Sequence, residues 1–184
     1  MKKEKEVLRN DMNIVKLERE KYAGKKFTMR YETNGYYDIR RTDIGFEIKH
    51  ECFKKTQEKS FDDCFLSEWL EDAVAYGAFE DGQLVGYVEG TLEKWNNRYR
   101  ISNIGIFDSS KRHSGIGSAL LEVILKEAEE SGARMVVLET QNCNEKAISF
   151  YNKNGFEIIG FDLYAYSNLD PERREVRIEM GKQL

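Results

Sequence analysis

Two short runs of the chain carry residue types that could do chemistry. The first is Arg112-His113-Ser114-Gly115-Ile116-Gly117-Ser118. Gly115 and Gly117 let a backbone turn tightly and approach a ligand closely. Successive amide N–H groups at the start of a helix then converge on an anion, and Arg112 adds positive charge. That suits a phosphate or a pyrophosphate. By itself an RxxGxG run equally suits an ordinary loop at the start of a helix. It is neither the GxGxxG dinucleotide run nor a P-loop, because no GK[ST] follows. The second run is Asn144-Glu145-Lys146-Ala147-Ile148-Ser149-Phe150-Tyr151, followed by Gly155-Phe156. At about 3.6 residues per turn, Asn144, Ala147 and Tyr151 share one helical face, and Phe150 points to another, toward a core. A tyrosine there can simply pack, or it can present an acidic hydroxyl to a ligand; the run alone leaves both open.

The elements that must position these runs follow from patterning. Ala73 to Glu80 reads as a strand, Asp81-Gly82 as a tight turn and Gln83 to Glu93 as the returning strand. Trp95-Asn96-Asn97 turns the chain into a strand near Tyr99–Phe107. A helix is expected from about Gly115 to Glu130, with Leu120, Leu121, Ile124, Leu125 and Ala128 as its apolar face and Ser131-Gly132 as its stop. Met135 to Thr140 reads as a short buried strand, Asn144 to Asn152 as a second helix, and Phe156 to Tyr166 and Val176 to Met180 as strands. Upstream, residues 27–49 look β-like, broken at Thr33-Asn34-Gly35 and Asp43-Ile44-Gly45. Ser60 to Asp72 reads as a short helix with an Asp-rich start. Val7, Leu8, Met12, Ile14, Val15 and Leu17 form a loose helical stripe in a charge-dense segment. The expected layout is an N-terminal charged extension or helix over 1–22 and a single α/β domain over 23–184.

Composition narrows the function classes. The chain has 184 residues, 40% apolar and 34% charged, enough for a real core, and no apolar run approaches the ~20 residues that a membrane helix needs. The start is charged with no apolar stretch behind it, so no secretory signal is expected. The net charge of -4 disfavours a general nucleic-acid binder. Cys52, Cys64 and Cys143 are odd in number and lack CxxC spacing, which reads as reduced thiols in a cytoplasmic protein. His50 and His113 are far apart in sequence, so no metal site is expected.

Taken together, in this order and spacing, RxxGxG followed by NxxAxxFYxxxGF resembles the GNAT family of N-acetyltransferases over roughly residues 73–166. The resemblance implies a central, mixed but largely antiparallel twisted sheet of about 6–7 strands with helices on both faces. It implies acetyl-CoA as co-substrate, its pyrophosphate held by Arg112, His113, Ser114, Gly115, Ile116, Gly117 and Ser118. Pantetheine would pair with a strand that splays from its neighbour and would contact Ile106 and Phe107. Asn144 and Ala147 would line the cofactor arm, and Tyr151 would protonate the leaving thiolate. A finer resemblance is to streptothricin acetyltransferases. It rests on Tyr76-Gly77-Ala78-Phe79, Leu84-Val85-Gly86, Trp95-Asn96-Asn97-Arg98-Tyr99, Leu138-Glu139-Thr140-Gln141 and Gly160-Phe161-Asp162-Leu163-Tyr164-Ala165-Tyr166. These enzymes acetylate an amine of a β-lysine-bearing antibiotic. An acidic stretch before their YGAF has a thinner counterpart here in Asp62, Asp63, Glu68, Glu71 and Asp72.

The chain departs from the family in three places. Where many relatives carry a glutamate that helps deprotonate the amine, alignment gives Asn103, or Ser102 with a shift of one. His113 stands at the usual glycine, and Pro171–Leu184 lacks an aromatic ending. Candidate bases are therefore Glu89, Glu93 and Glu139. Glu139, Glu89 and Asp72 are the expected substrate-binding carboxylates, although Glu89 in mid-strand also suits a plain solvent-facing position. Cys143 is expected to be a bystander. The expected partner is a small cationic amine, with no nucleic acid or membrane and with a homodimer admitted. The rival readings are a protein lysine or N-terminal acetyltransferase and a non-catalytic acyl-CoA-binding module.

Overall fold

The computed structural model describes residues 12–112 and 114–184. In chain order the elements are β1 (Asn13–Lys16), α1 (Arg19–Tyr22), β2 (Lys26–Arg41), β3 (Phe46–Cys64), β4 (Val74–Glu80), β5 (Gln83–Glu93) and β6 (Arg98–Ile106). They continue with α2 (Ile116–Glu130), β7 (Met135–Gln141), α3 (Glu145–Lys153), β8 (Glu157–Asp162), α4 (Asp170–Arg173) and β9 (Arg177–Gln183). Seven strands form one sheet in the order β1-β4-β5-β6-β7-β9-β8, and β2 and β3 form a separate two-stranded ribbon. Within the large sheet β6 and β7 run parallel and the other neighbours antiparallel. The expected mixed, largely antiparallel sheet is therefore present. No helix among the described residues is long and apolar enough to cross a membrane.

The period of two along β5 sorts the core. Val88 packs in one cluster with Leu120, Leu121, Ile124 and Ala128 of α2. Its neighbour Tyr87 packs in a second cluster with Leu17, Phe65 and Leu66, as alternation across a strand requires. α2 thus covers one face of β4–β6. The other face is covered by the ribbon, by the segment after it and by the short α1, whose Tyr22 packs there with Phe27 and Met29.

Four expectations are corrected. The N-terminal stripe is not helical over Asn13–Lys16, which pairs with β4; β4 would otherwise be a bare edge, and Ile14 and Val15 are β-branched. Val7 and Leu8 lie outside the described residues. Thr33-Asn34-Gly35 is a register shift inside β2 rather than a break, whereas Asp43-Ile44-Gly45 does turn the ribbon. Ser60–Cys64 completes β3 instead of starting a helix, and residues 65–72 form turns. Phe65, Leu66 and Leu70 are buried there, so packing outweighs local propensity. The strand from Phe156 ends at Asp162 rather than at Tyr166.

Between β5 and β6 the register shifts: Glu89 faces Asn103 but Gly90 faces Ile101, which leaves Ser102 as the extra residue of a bulge. Bulges re-aim side chains beside functional sites. Gly90 makes this one possible. A Cβ there would lie 2.5 Å from Tyr99 Cε1 and 2.7 Å from the Arg100 carbonyl oxygen. Gly90→Ala should therefore destabilise the fold by ~1–3 kcal/mol, the usual cost of overpacking, read as a lower urea midpoint with an unchanged slope.

Candidate active site

β6 and β7 pair only from Arg98 to Ile101 and from Met135 to Leu138. Beyond that point they diverge, and the β7-facing side of Ser102–Ile106 is left without a ladder. A cavity of about 580 Å³ opens in the split. Its floor is Ile101–Ile106, one side carries Leu138–Gln141, and α3 contributes Asn144, Lys146, Ala147, Phe150 and Tyr151. The opposite wall is the ribbon, through Met29, Arg30, Tyr31, Phe61 and Asp63.

The ribbon is held over the split by specific bonds. Met29 Cε lies 1.5 Å from where a Cβ on Gly105 would be, so only a glycine admits it. The Tyr31 hydroxyl donates to Gln141 Oε1 at 2.7 Å. Tyr37 and Asn142 exchange two bonds of 2.9 Å. Glu145, in the first turn of α3, accepts from the Asn34 amide and pairs with His50 Nε2, both at 2.9 Å. His50 is thus engaged in the clamp between ribbon and helix.

The loop before α2 ends in Gly115 at φ +92, a left-handed conformation that favours glycine. Among the described residues no side chain caps the N-terminus of α2, which leaves its first N–H groups to an anion. Arg112 lines the cavity and donates to the Arg30 carbonyl. Gly117 and Ile106 also line it, and a Cβ on Gly117 would sit 3.6 Å from Phe150. Ser114 and Ser118 are exposed, and the Ile116 side chain is in the core, so these positions offer backbone rather than a lining side chain. His113 lies outside the described residues.

Asn144, Ala147 and Tyr151 do face one cavity. Asn144 also caps α3, its side chain accepting from the Ala147 amide at 3.3 Å. Phe150 packs on the core as expected but lines the cavity too. Tyr151 is 7% exposed. Burial pushes its hydroxyl above the usual tyrosine range, with no charged neighbour contributing among the described residues. It therefore keeps its proton across neutral pH.

Several expected site residues stand elsewhere. The Phe107 ring is on the far face, stacked on Tyr87 with centroids 5.7 Å apart, because consecutive residues of an extended chain point oppositely. Asp72 is exposed and paired with Lys94 at 2.9 Å, away from the cavity. Glu89 is 0% exposed rather than solvent-facing and does not line the cavity. Glu93 is held by Arg98 and Arg100; burial raises its pKa, but the bonds from Arg100 and Asn96 leave its carboxyl below the usual range. Of the five acidic residues at 62–72, only Asp63 lines the cavity. Glu139 lines it and accepts from the Tyr166 hydroxyl at 3.2 Å. Cys143 is buried against Tyr31, and burial pushes its thiol up, which disfavours the thiolate. Sequence reasoning missed Met29, Tyr31, Phe61 and Lys146. The alternation of β2 was a signal for the ribbon residues, but what the ribbon covers was not legible.

An acyl-CoA fits these features. The open edge of β6 offers backbone groups to a pantetheine arm, and the bare start of α2 suits its phosphates. Ser102 Oγ is buried, lines the cavity and has no partner among the described residues, as expected of a group waiting for a polar ligand. The profile of the acetyltransferase (GNAT) family matches residues 42–156. The chain belongs to the GNAT acetyltransferase family. It is 32% identical over 130 residues to the streptothricin acetyltransferase of Escherichia coli, covering 71% of this chain and 72% of that one. A solved nourseothricin acetyltransferase shares the fold at TM-score 0.76, with 24% identity, covering 94% of this chain and 98% of that one. A Bacillus anthracis chain in complex with acetyl coenzyme A does so at 0.73, with 24% identity over 95% and 98%. This GNAT protein is an acetyltransferase.

Proposed function

We propose that the chain acetylates a primary amine of a small polycationic compound, with the β-lysine amine of streptothricin as the acceptor. The observation that carries this reading is the cavity itself. It begins at the open β6 edge beside the α2 N-terminus and reaches Asp63 and Glu139 under a ribbon that closes it on one side. The identity to the Escherichia coli streptothricin enzyme supports the same acceptor. Arg112 and the amides from Gly115 to Ser118 hold the pyrophosphate, while Ile106, Asn144 and Ala147 bound the arm that follows. Bound acetyl-CoA supplies an acetyl group activated as a thioester. Tyr151 presents its hydroxyl proton to the departing sulfur. Glu139, steadied by Tyr166, and Asp63 orient the cationic acceptor.

Thiol release from acetyl-CoA, with streptothricin, polyamines and lysine peptides offered in parallel, tests this reading. Fast release with streptothricin supports it; release with the peptides alone points to a protein acetyltransferase. Because Glu139 is exposed, its ion pair with a ligand is modest, about 0.2–1 kcal/mol. Glu139→Gln should accordingly raise the apparent KM for the amine about 1.4- to fivefold and leave that for acetyl-CoA unchanged. Added salt should erase most of the difference.

A further inference from the structure

We infer that Asp63, carried into the cavity near the end of β3, takes the proton from the acceptor ammonium, with Glu89 acting on it through Asn103 as a positioning residue. This rests on the acetyl-transfer reading above. An alkyl ammonium, with a pKa near ~10.4, cannot attack until it loses a proton, and the family's glutamate is absent. Glu93 is locked by two arginines, and Glu139 is engaged by Tyr166 and by Arg177 at 3.5 Å.

Asp63 is placed differently. Its Oδ1 accepts from the Cys64 amide at 2.7 Å and its Oδ2 from Asn103 Nδ2 at 2.9 Å. The same Nδ2 donates to Glu89 Oε1 at 2.9 Å, and Glu89 Oε2 accepts from the Leu66 amide at 2.7 Å. Among the described residues, then, two carboxylates share one neutral amide, and both are bound by amides rather than by cations. Only Asp63 and Asn103 of this trio line the cavity. An ionised carboxylate has about four acceptor sites, so Asp63 keeps lone pairs for an incoming N–H. Next to Asn103 in β6 is Ser102, the extra residue of the bulge, whose Oγ lines the cavity without a partner among the described residues. Among the described residues, Tyr87 of β5 lies in the field of Glu89 and Asp63, with Cys64 of β3 near it, and Arg19 of α1 acts on Glu89. Burial, then the charge of Asp63, push Glu89 upward, while the bonds from Asn103 and Leu66 oppose this. A cation beside Asp63 relieves the crowding.

The chemistry balances. An N–H bond of the ammonium breaks and the Asp63 O–H bond forms. The freed lone pair makes the C–N bond as the carbon–sulfur bond breaks with its electrons on sulfur. Sulfur takes its proton from Tyr151, the second proton that leaves nitrogen passes through water to restore the Tyr151 hydroxyl, and one proton per turnover passes from Asp63 to water.

The test compares pH–rate profiles of the full chain and of Asp63→Asn, with the thermal shift by acetyl-CoA measured beside them. Asp63→Asn should lower kcat/KM for the amine about 10²–10⁴-fold at neutral pH, the usual range of base catalysis. Its rate should then climb about tenfold per pH unit where the parent is flat, because solution must supply the neutral amine. The acetyl-CoA shift should persist. Glu89→Gln must turn an N–H toward either the Leu66 amide or Asn103, so it should lower kcat for the amine while leaving its KM and the acetyl-CoA shift in place; a merely structural role would not split kcat from KM. Should Asp63→Asn not fold, Asp63→Glu and Asp63→Gln, equal in size, read the same contrast, with the glutamate keeping the parent profile. An Asp63→Asn enzyme with the parent's rate and profile overturns the inference and leaves acetyl transfer standing. A parent that binds acetyl-CoA and releases no thiol with any amine overturns the functional reading, and this inference with it.

Discussion

Replacing Tyr151 by phenylalanine should lower turnover by about 10²–10⁴-fold, the range expected when a positioned general acid is lost. The ring packs against Phe150 and Phe156 at centroid distances of 5.5 and 6.0 Å, and those contacts survive the change, so the fold and the acetyl-CoA thermal shift should hold. The loss should appear in kcat and in kcat/KM together, the signature of an interaction made only in the transition state. Because burial keeps the parent hydroxyl protonated well above neutral pH, no alkaline decline near neutrality should come from this residue. A variant that turns over at the parent rate across pH would assign the proton to water or to another group.

Gly117→Trp should abolish stabilisation by acetyl-CoA. At a ligand concentration of about 100 Kd the parent should gain about 2.7 kcal/mol; the variant should gain none. Gly117 lies in the first turn of α2 where it meets the cavity, and Phe150 and Ile106 stand 3.6 and 3.8 Å from where a Cβ would be. A methyl group fits in that space, so Gly117→Ala should fold and bind weakly, whereas an indole must project over the free amides. An unchanged shift in Gly117→Trp would move the pyrophosphate elsewhere.

The parts legible in the sequence are those fixed by local rules. α2 and α3 were read from their apolar period and their punctuation: Gly115 at positive φ, Asn144 as a cap whose side chain meets the Ala147 amide, and Gly155 at φ +84. The β4–β5 hairpin followed from Asp81-Gly82. The ribbon was hidden because its meaning is long-range. Tyr31 and Gln141 meet across 110 residues of sequence, and no local pattern announces that. The same covering layer explains Glu89: a polar residue in mid-strand reads as solvent-facing until a second layer buries it. The acidic run at 62–72 failed as a unit because each residue is aimed by its own backbone. Asp63 ends a strand and faces inward, whereas Asp72 sits in a turn at φ 53 and meets Lys94. Phe107, expected with Ile106 at the pantetheine arm, turns its ring to the far face and stacks on Tyr87.

The most direct test of acetyl transfer to a small polycation is mass spectrometry of streptothricin incubated with acetyl-CoA and the purified chain. One acetyl group should be added, with fragments placing it on the β-lysine amine and with no addition when Tyr151→Phe replaces the parent for the same time. Unmodified streptothricin, beside rapid acetylation of a lysine peptide in the parallel tube, would contradict the assignment of this cavity to the antibiotic.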